Sequence, residues 1–192
     1  MGASVSPRQL PSPNQLAATA VRIFAASERI NQLLLRQLNP AAWSASLPSR
    51  PRSRVRTIAA IFTHLHNVRT KWIRLSAPHL DVPAQLNRAR CTPQQARAAL
   101  AESAARCAQM LAEALDGSQR VETFWRDRFA RSWPPGPEML CYMICHEAHH
   151  RGQVCMLAHQ LGFPLQPRVT AQMWSWERLL KPFPVFTGEI RS

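Results

Sequence analysis

Apolar side chains recur at helical spacing through most of the chain. Stretches with apolar residues three and four positions apart are typical of amphipathic helices that bury one face. We predict four long helices, over residues 13–39, 53–76, 93–116 and 137–161, and a short fifth helix over 170–180.

Polar, proline and glycine residues mark the ends of these stretches. Ser12-Pro13-Asn14-Gln15 and Thr92-Pro93-Gln94-Gln95 both place a hydroxyl before proline with glutamine three positions on, which is typical of a capped helix start. Pro40 and Pro78 stop the first two helices, and glycines follow the third and fourth.

Evidence for strands is thin. Only residues 121–125 and 185–190 have β character, and neither stretch alternates convincingly. Four long amphipathic helices therefore predict an all-α four-helix bundle with a short extra C-terminal helix. We expect one domain over 14–180, a flexible N-terminal tail over 1–13 and a C-terminal tail over 181–192.

Composition narrows the class of protein. The chain has 192 residues, of which 46% are apolar, enough for a hydrophobic core, and it has no apolar stretch that would span a membrane. No secretory signal is visible. An odd number of cysteines, five, without a C-x-x-C pair favours free thiols in a reduced, cytoplasmic setting.

The net charge is +13, and arginine supplies nearly all of it, with 22 arginines against 2 lysines. A cluster over Arg50, Arg52, Arg54 and Arg56 raises the question of nucleic-acid binding. The other arginines are scattered, and no helix-turn-helix, zinc-finger or RNP-like pattern is present, so we regard nucleic acid as an unlikely partner.

Histidines carry the clearest chemical signal. His146 and His150 are four residues apart on the fourth helix, so both imidazoles lie on one face and can hold one metal ion. Their third partner comes from the second helix, where His64 and His66 lie about 200° apart at roughly 100° per residue, so that only one faces the core. His64 shares the better apolar stripe, and we choose it.

Three histidine ligands would leave one coordination position open for water or substrate, as in catalytic metal sites. Five further side chains lie near this face or the mouth of the predicted site and are candidates for binding substrate or supporting the ligands: Gln153, Asn67, Lys71, Tyr142 and His149. For Gln153, Asn67, Lys71 and Tyr142, packing or surface solvation is the simpler explanation.

The same segment also satisfies the zinc-protease pattern H-E-x-x-H, in which Glu147 would be the general base. Gln153 stands where the extended metzincin pattern needs glycine, and Met156 stands where it needs a third histidine. Glu177, the available downstream carboxylate, lies beyond two prolines, and no strand precedes the helix. We therefore disfavour proteolysis.

A family resemblance rests on these motifs. The run over 146–153, His-Glu-Ala-His-His-Arg-Gly-Gln, resembles the H-x-x-H-H-R-G-Q motif of the DinB/YfiT-like family of metal-dependent enzymes, which is distinct from the DNA polymerase that shares the DinB name. The helix end over 161–165 and the histidine-to-tryptophan spacing over 64–72 are also similar to the family's pattern. Residues from about 14 to 180 fit its layout.

The resemblance implies a four-helix bundle that holds a divalent metal (zinc, nickel, iron or manganese) through His64, His146 and His150. It also implies a homodimer, and a low-molecular-weight thiol as a possible substrate. We accordingly expect a metal-dependent transferase or hydrolase that activates water or a thiol. The alternative is a metal-dependent binding or stress protein without catalysis.

The back of the fourth helix carries a stripe of mostly small residues at spacings of four and three: Cys141, Cys145, Ala148, Gly152, Cys155 and His159. The cysteines lie off the His146 face, so we do not expect them to bind the metal. Small residues allow close helix approach, and the stripe must meet either a helix of the same chain or a partner chain. With the resemblance, it favours a symmetric dimer.

Overall fold

A computed structural model describes residues 10–48 and 56–181 of the chain, and every regular element within those ranges is helical. Four long helices form the bundle, followed by two short ones: α1 (Pro13–Gln37), α2 (Ile58–Ser76), α3 (Pro93–Leu115), α4 (Pro137–Gln160), α5 (Pro167–Trp174) and α6 (Trp176–Leu179). A short helical turn at Pro40–Ala42 follows α1. The predicted all-α four-helix bundle is thus confirmed.

The predicted helix ends are largely observed. Both capping boxes form, since the side chains of Ser12 and Thr92 accept hydrogen bonds from the backbone N–H groups of Gln15 and Gln95. Beyond α4, Gly162 adopts a φ of +83°, a conformation that glycine reaches without the steric cost of a side chain.

Two predicted boundaries are wrong. The second helix does not start near residue 53, because Thr57 is extended and caps a helix that begins at Ile58, with its Oγ1 accepting from Ala60 N at 3.1 Å. The short C-terminal helix is split at Ser175 and starts earlier, at Pro167. Several expectations fall outside the described residues: the weak β character over 185–190, residues 1–9 and 182–192 of the two predicted tails, and Arg50, Arg52 and Arg54.

Phe124 and Trp133 form an isolated antiparallel bridge in the connection between α3 and α4. Their backbones exchange hydrogen bonds of 2.9 and 3.2 Å, and Trp125 N donates to Ser76 Oγ at 2.9 Å. The connection is thereby fixed against the C-terminal end of α2. The β character predicted over 121–125 amounts to this one bridge.

The core has two large apolar parts with a polar layer between them, and a small third cluster of Ala17, Ala20 and Leu115. One part surrounds Trp43, Phe62 and Leu34, and the other surrounds Trp72 and Phe124. Buried polar side chains lie between the residues of these two parts on α1 (Ser27, Asn31) and on α4 (Glu147, Arg151). Arg69 of α2 is buried with them.

Arg69 of α2 lies at the centre of this layer and contacts all three other long helices. Its guanidinium donates to Glu28 Oε2 on α1 at 2.7 Å, to Leu100 O on α3 at 2.9 Å and to Glu147 Oε1 on α4 at 2.7 Å. The Phe24 ring lies under the same guanidinium, 5.2 Å from Cζ to the ring centroid. A single side chain therefore ties the bundle together at mid-height.

Glu147 is equally enclosed. Its Oε2 accepts from Asn31 Nδ2 at 3.0 Å and from Ser27 Oγ at 3.2 Å, and Arg151 lies 3.5 Å away. Burial alone would raise the pKa of Glu147, but the charge and hydrogen bond of Arg69 outweigh it and hold the pKa below its usual value. The buried carboxylate is therefore ionised and paired on both oxygens.

No helix among the described residues is long and apolar enough to cross a membrane. The cytoplasmic location stays a prediction.

We predict that Glu147→Gln lowers the free energy of unfolding by about 3–5 kcal/mol, because it leaves the buried Arg69 with Glu28 as its one ion-pair partner and Arg151 with none among the described residues. Chemical denaturation of metal-free protein measures this, so that metal binding does not contribute. Glu177→Gln is the matched control, since it breaks an ion pair with Arg178 whose side chains are both more than 70% exposed and should change stability by less than about 1 kcal/mol. Equal effects of the two variants would contradict a central role for the layer.

Candidate metal centre

Three imidazoles converge between α2 and α4. The ring centroids of His64 and His150 are 4.7 Å apart, those of His146 and His150 are 4.6 Å apart, and those of His64 and His146 are 5.5 Å apart. One nitrogen of each ring lies within 4.8 Å of the other two. The two helices thus bring together the three histidines that the sequence predicted as metal ligands.

Burial keeps these imidazoles neutral. It is the largest cause of the lowered pKa of His64, to about 3, and of His146, to about 4, and the neighbouring His150 lowers both further. Burial also lowers the pKa of His150. All three rings are therefore unprotonated at neutral pH, which is the form that binds metal ions.

One ring nitrogen lacks a protein partner. Nδ1 of His146 is buried and has no hydrogen-bond partner among the described residues. Such a group is costly unless something engages the ring. Three neutral imidazoles, one of them with an unpartnered nitrogen, form a donor set that suits a divalent metal ion.

Gln153 supports this set from one turn further along α4. Its Oε1 lies 2.7 Å from His150 Nδ1, and its Nε2 lies 3.0 Å from His149 Nε2. A carbonyl oxygen at Nδ1 holds the proton there and leaves Nε2 of His150 as the free donor, which is the usual arrangement around metal-binding histidines. His149 is exposed and contacts the site through Gln153.

Aromatic rings form one wall beside His146. The Trp72 ring lies 5.4 Å from the His146 ring between centroids, and the Tyr142 ring lies 6.1 Å from it. Tyr142 also packs edge-on against Trp133, with 5.5 Å between centroids, in the connection before α4. Tyr142, predicted near the mouth of the site, is therefore part of its wall.

The other two candidates on α2, Asn67 and Lys71, have different surroundings. Asn67 pairs with the backbone of Leu86 through both ends of its amide, at 3.1 and 2.9 Å, which is the packing role left open by the sequence. Lys71 lies two turns beyond His64 and lines a cleft with Arg74 and Arg126.

His66 corrects one step of the sequence reasoning. The expectation that only one of His64 and His66 faces the core is wrong, because α2 is covered on both sides. His66 is fully buried against α3, where its Nδ1 lies 2.9 Å from Ala99 O and its Nε2 lies 2.8 Å from Ala84 O. His64, the histidine chosen from the sequence, is nevertheless the one that lies beside His146 and His150.

Sequence reasoning missed the polar layer that supports the site. Glu147 and Arg151 directly follow His146 and His150, and they point to α1 while the histidines point to α2. Arginine among the apolar positions of α2 was the available signal for Arg69. Because the Glu147 carboxylate is fully buried and bound to Arg69, it cannot act as the general base that a zinc protease needs.

The stripe on the back of α4 faces outward. Cys141, Cys145, Ala148 and Gly152 are exposed, and a Cβ built at Gly152 would meet nothing within 4 Å. Among the described residues, therefore, no helix of the same chain packs against Gly152. The stripe is available to a partner chain, and the homodimer stays a prediction.

All five cysteines are free thiols, as predicted. None belongs to the cluster of side chains that could hold a metal within the described parts of the chain. Burial raises the pKa of Cys155, the stripe cysteine that is half-buried.

Comparison with known proteins agrees with this site. The model of the DinB family matches residues 12–177. No curated protein and no solved structure matches the chain. The matched range holds all four long helices and the three converging histidines, and the chain belongs to the DinB family.

Proposed function

We propose that this protein binds one divalent metal ion through His64, His146 and His150 and uses it in a reaction on a small molecule. The observation that supports this most directly is the convergence of three neutral imidazoles within 4.8 Å, one with a buried nitrogen that has no protein partner. Zinc, nickel, iron and manganese all accept imidazole ligands.

The ion, when bound, supplies a Lewis acid that lowers the pKa of water or a thiol at its open position. The chain's own residues have distinct tasks around it. Gln153 holds the proton on His150 Nδ1, and the rings of Trp72 and Tyr142 keep water from one side of His146. Such a site suits a transferase or a hydrolase, and a low-molecular-weight thiol is a reasonable substrate class.

We predict that His64→Ala abolishes most metal binding, whereas His66→Ala leaves the stoichiometry near one ion per chain. His66 is the matched control because it lies two residues away on α2 but hydrogen-bonds to α3. Elemental analysis of purified protein and titration of metal-free protein measure the difference. Metal loss in His66→Ala with retention in His64→Ala would show that the ligands are assigned wrongly.

We also predict that alkylation of the native, metal-loaded protein leaves its metal in place. Cys141 and Cys145 are exposed and therefore accessible to the reagent, yet neither belongs to the histidine cluster. Mass spectrometry counts the modified thiols while a chromogenic chelator reports free metal. Release of metal in proportion to thiol modification would contradict the all-histidine ligand set.

Catalysis itself is tested by turnover across thiol acceptors and small esters, with and without metal. We expect activity that chelation removes and that the same metal restores, and that is lost in His146→Ala. A protein that binds metal tightly but turns over none of these compounds would instead be a binding protein, the alternative that the sequence left open.

A further inference from the structure

We propose that a basic cleft beside the histidine cluster holds the negatively charged end of the substrate, so that this protein acts on small anionic molecules. The inference rests on the proposed function, because it assigns the charge of the molecule whose reacting end lies at the histidines. The charged group is a carboxylate or a phosphate, both of which accept paired hydrogen bonds from arginine.

The cleft has a volume of about 730 Å³ and lies between α2 and the connection that precedes α4. Four basic side chains line it: Lys71 and Arg74 from α2, and Arg126 and Arg128 from the connection. Asp127 is the one acidic residue in its lining. Positive charge is therefore in excess.

The carboxylate of Asp127 is already hydrogen-bonded within its own loop. Its Oδ1 accepts from Phe129 N at 2.9 Å and from Ala130 N at 3.0 Å, while Oδ2 lies 3.3 Å from Arg126 Nε. These bonds, led by that of Phe129 N, lower the pKa of Asp127. The carboxylate fixes the loop and neutralises at most one of the four cations.

The remaining cations have no anionic partner of their own. Among the described residues, Lys71, Arg74 and Arg128 form no ion pair; Arg128 stacks on the ring of Phe129 at 4.6 Å from its centroid. Elsewhere in the protein, the buried arginines are paired with carboxylates. Three uncompensated cations in a concave site favour an anion from solution.

The cleft lies on the same face of α2 as the histidine cluster, although no histidine lines it. Lys71 follows His64 by seven residues on α2, which is about 10 Å along the helix axis and on the same face. Tyr142 is one turn before His146 on α4, and its ring packs against the His146 ring. Burial raises the pKa of Tyr142, and the nearby charge of Arg126 partly opposes this, so Tyr142 lies close to the cleft as well.

The separation between Lys71 and the histidines indicates the length of the ligand. Its charged group binds near Lys71 and Arg74, and its reacting group lies about two helical turns away at the histidines. The half-buried ring of Tyr142 packs against the His146 ring on the side of Arg126, while Trp72 lies buried behind both rings. We infer a small molecule of this length with one anionic end, because the four basic side chains line a concave cleft of about 730 Å³.

The sequence provides an internal control for a chemical test. Lys71 and Lys181 are the two lysines of the whole chain, and Lys71 is half-buried whereas Lys181 is exposed. Pyridoxal 5′-phosphate is an anionic aldehyde that condenses with a lysine amine to an imine with loss of water, and borohydride then reduces the imine to a stable amine. Peptide mass spectrometry quantifies the label at each lysine.

We expect Lys71 to be labelled faster than the more exposed Lys181. Pyridoxal closes to an internal hemiacetal and reacts slowly with any amine, so the two reagents are compared through the ratio of Lys71 to Lys181 labelling. We expect this ratio to be about tenfold higher with pyridoxal 5′-phosphate than with pyridoxal, because a hydrogen bond from a cation to phosphate contributes on that order. Inorganic phosphate or succinate should protect Lys71, and which of them protects identifies the phosphate or the carboxylate class. Arg74→Gln and Arg126→Gln should each slow labelling at Lys71 by about tenfold, whereas Arg22→Gln, an exposed change on α1, should not.

Equal labelling of the two lysines, or the same ratio of Lys71 to Lys181 labelling with both reagents, would overturn the proposal. Protection by a DNA duplex at physiological salt, without protection by phosphate or succinate, would overturn it in favour of a nucleic-acid surface. The labelling needs no metal, and it is run on both metal-free and metal-loaded protein. Failure of the cleft to bind anions is therefore distinguishable from failure of the histidines to bind metal.

Discussion

The guanidinium of Arg69 is the contact on which this bundle depends. It is fully buried and makes a hydrogen bond to each of the other three long helices, two of them to carboxylates. A buried ion pair contributes little net stability compared with an apolar core of the same shape, but removing one partner is costly. Its main consequence is therefore geometric: α1, α3 and α4 can pack on α2 only in the register that satisfies this one side chain.

That register positions the metal site. On α4, each proposed ligand is followed directly by a member of the polar layer, His146 by Glu147 and His150 by Arg151. Glu147 and Arg151 bond to Ser27 and Asn31 on α1. Since consecutive helical residues are about 100° apart, fixing this face toward α1 turns the two imidazoles toward α2. The layer and the histidine cluster thus lie at one height of the bundle, between its two apolar parts.

Local sequence signals predicted much of this arrangement. Capping residues and prolines mark three of the four long helix starts, and the spacing of His146 and His150 depends only on helical geometry. What the sequence left unresolved depends on long-range contacts. Thr57 begins α2 although no proline marks it, and His66 is buried because α3 and the segment after α2 supply carbonyl oxygens to its ring. The partners of Arg69 come from residues as distant as Glu28 and Glu147, which no local pattern connects.

X-ray absorption spectroscopy of the metal-loaded protein tests the central claim most directly, because it counts the atoms bound to the ion. The arrangement of His64, His146 and His150 predicts three imidazole nitrogens, at roughly 2.0–2.1 Å if the ion is zinc, and no sulfur. A sulfur ligand, or fewer than three imidazoles, would contradict it.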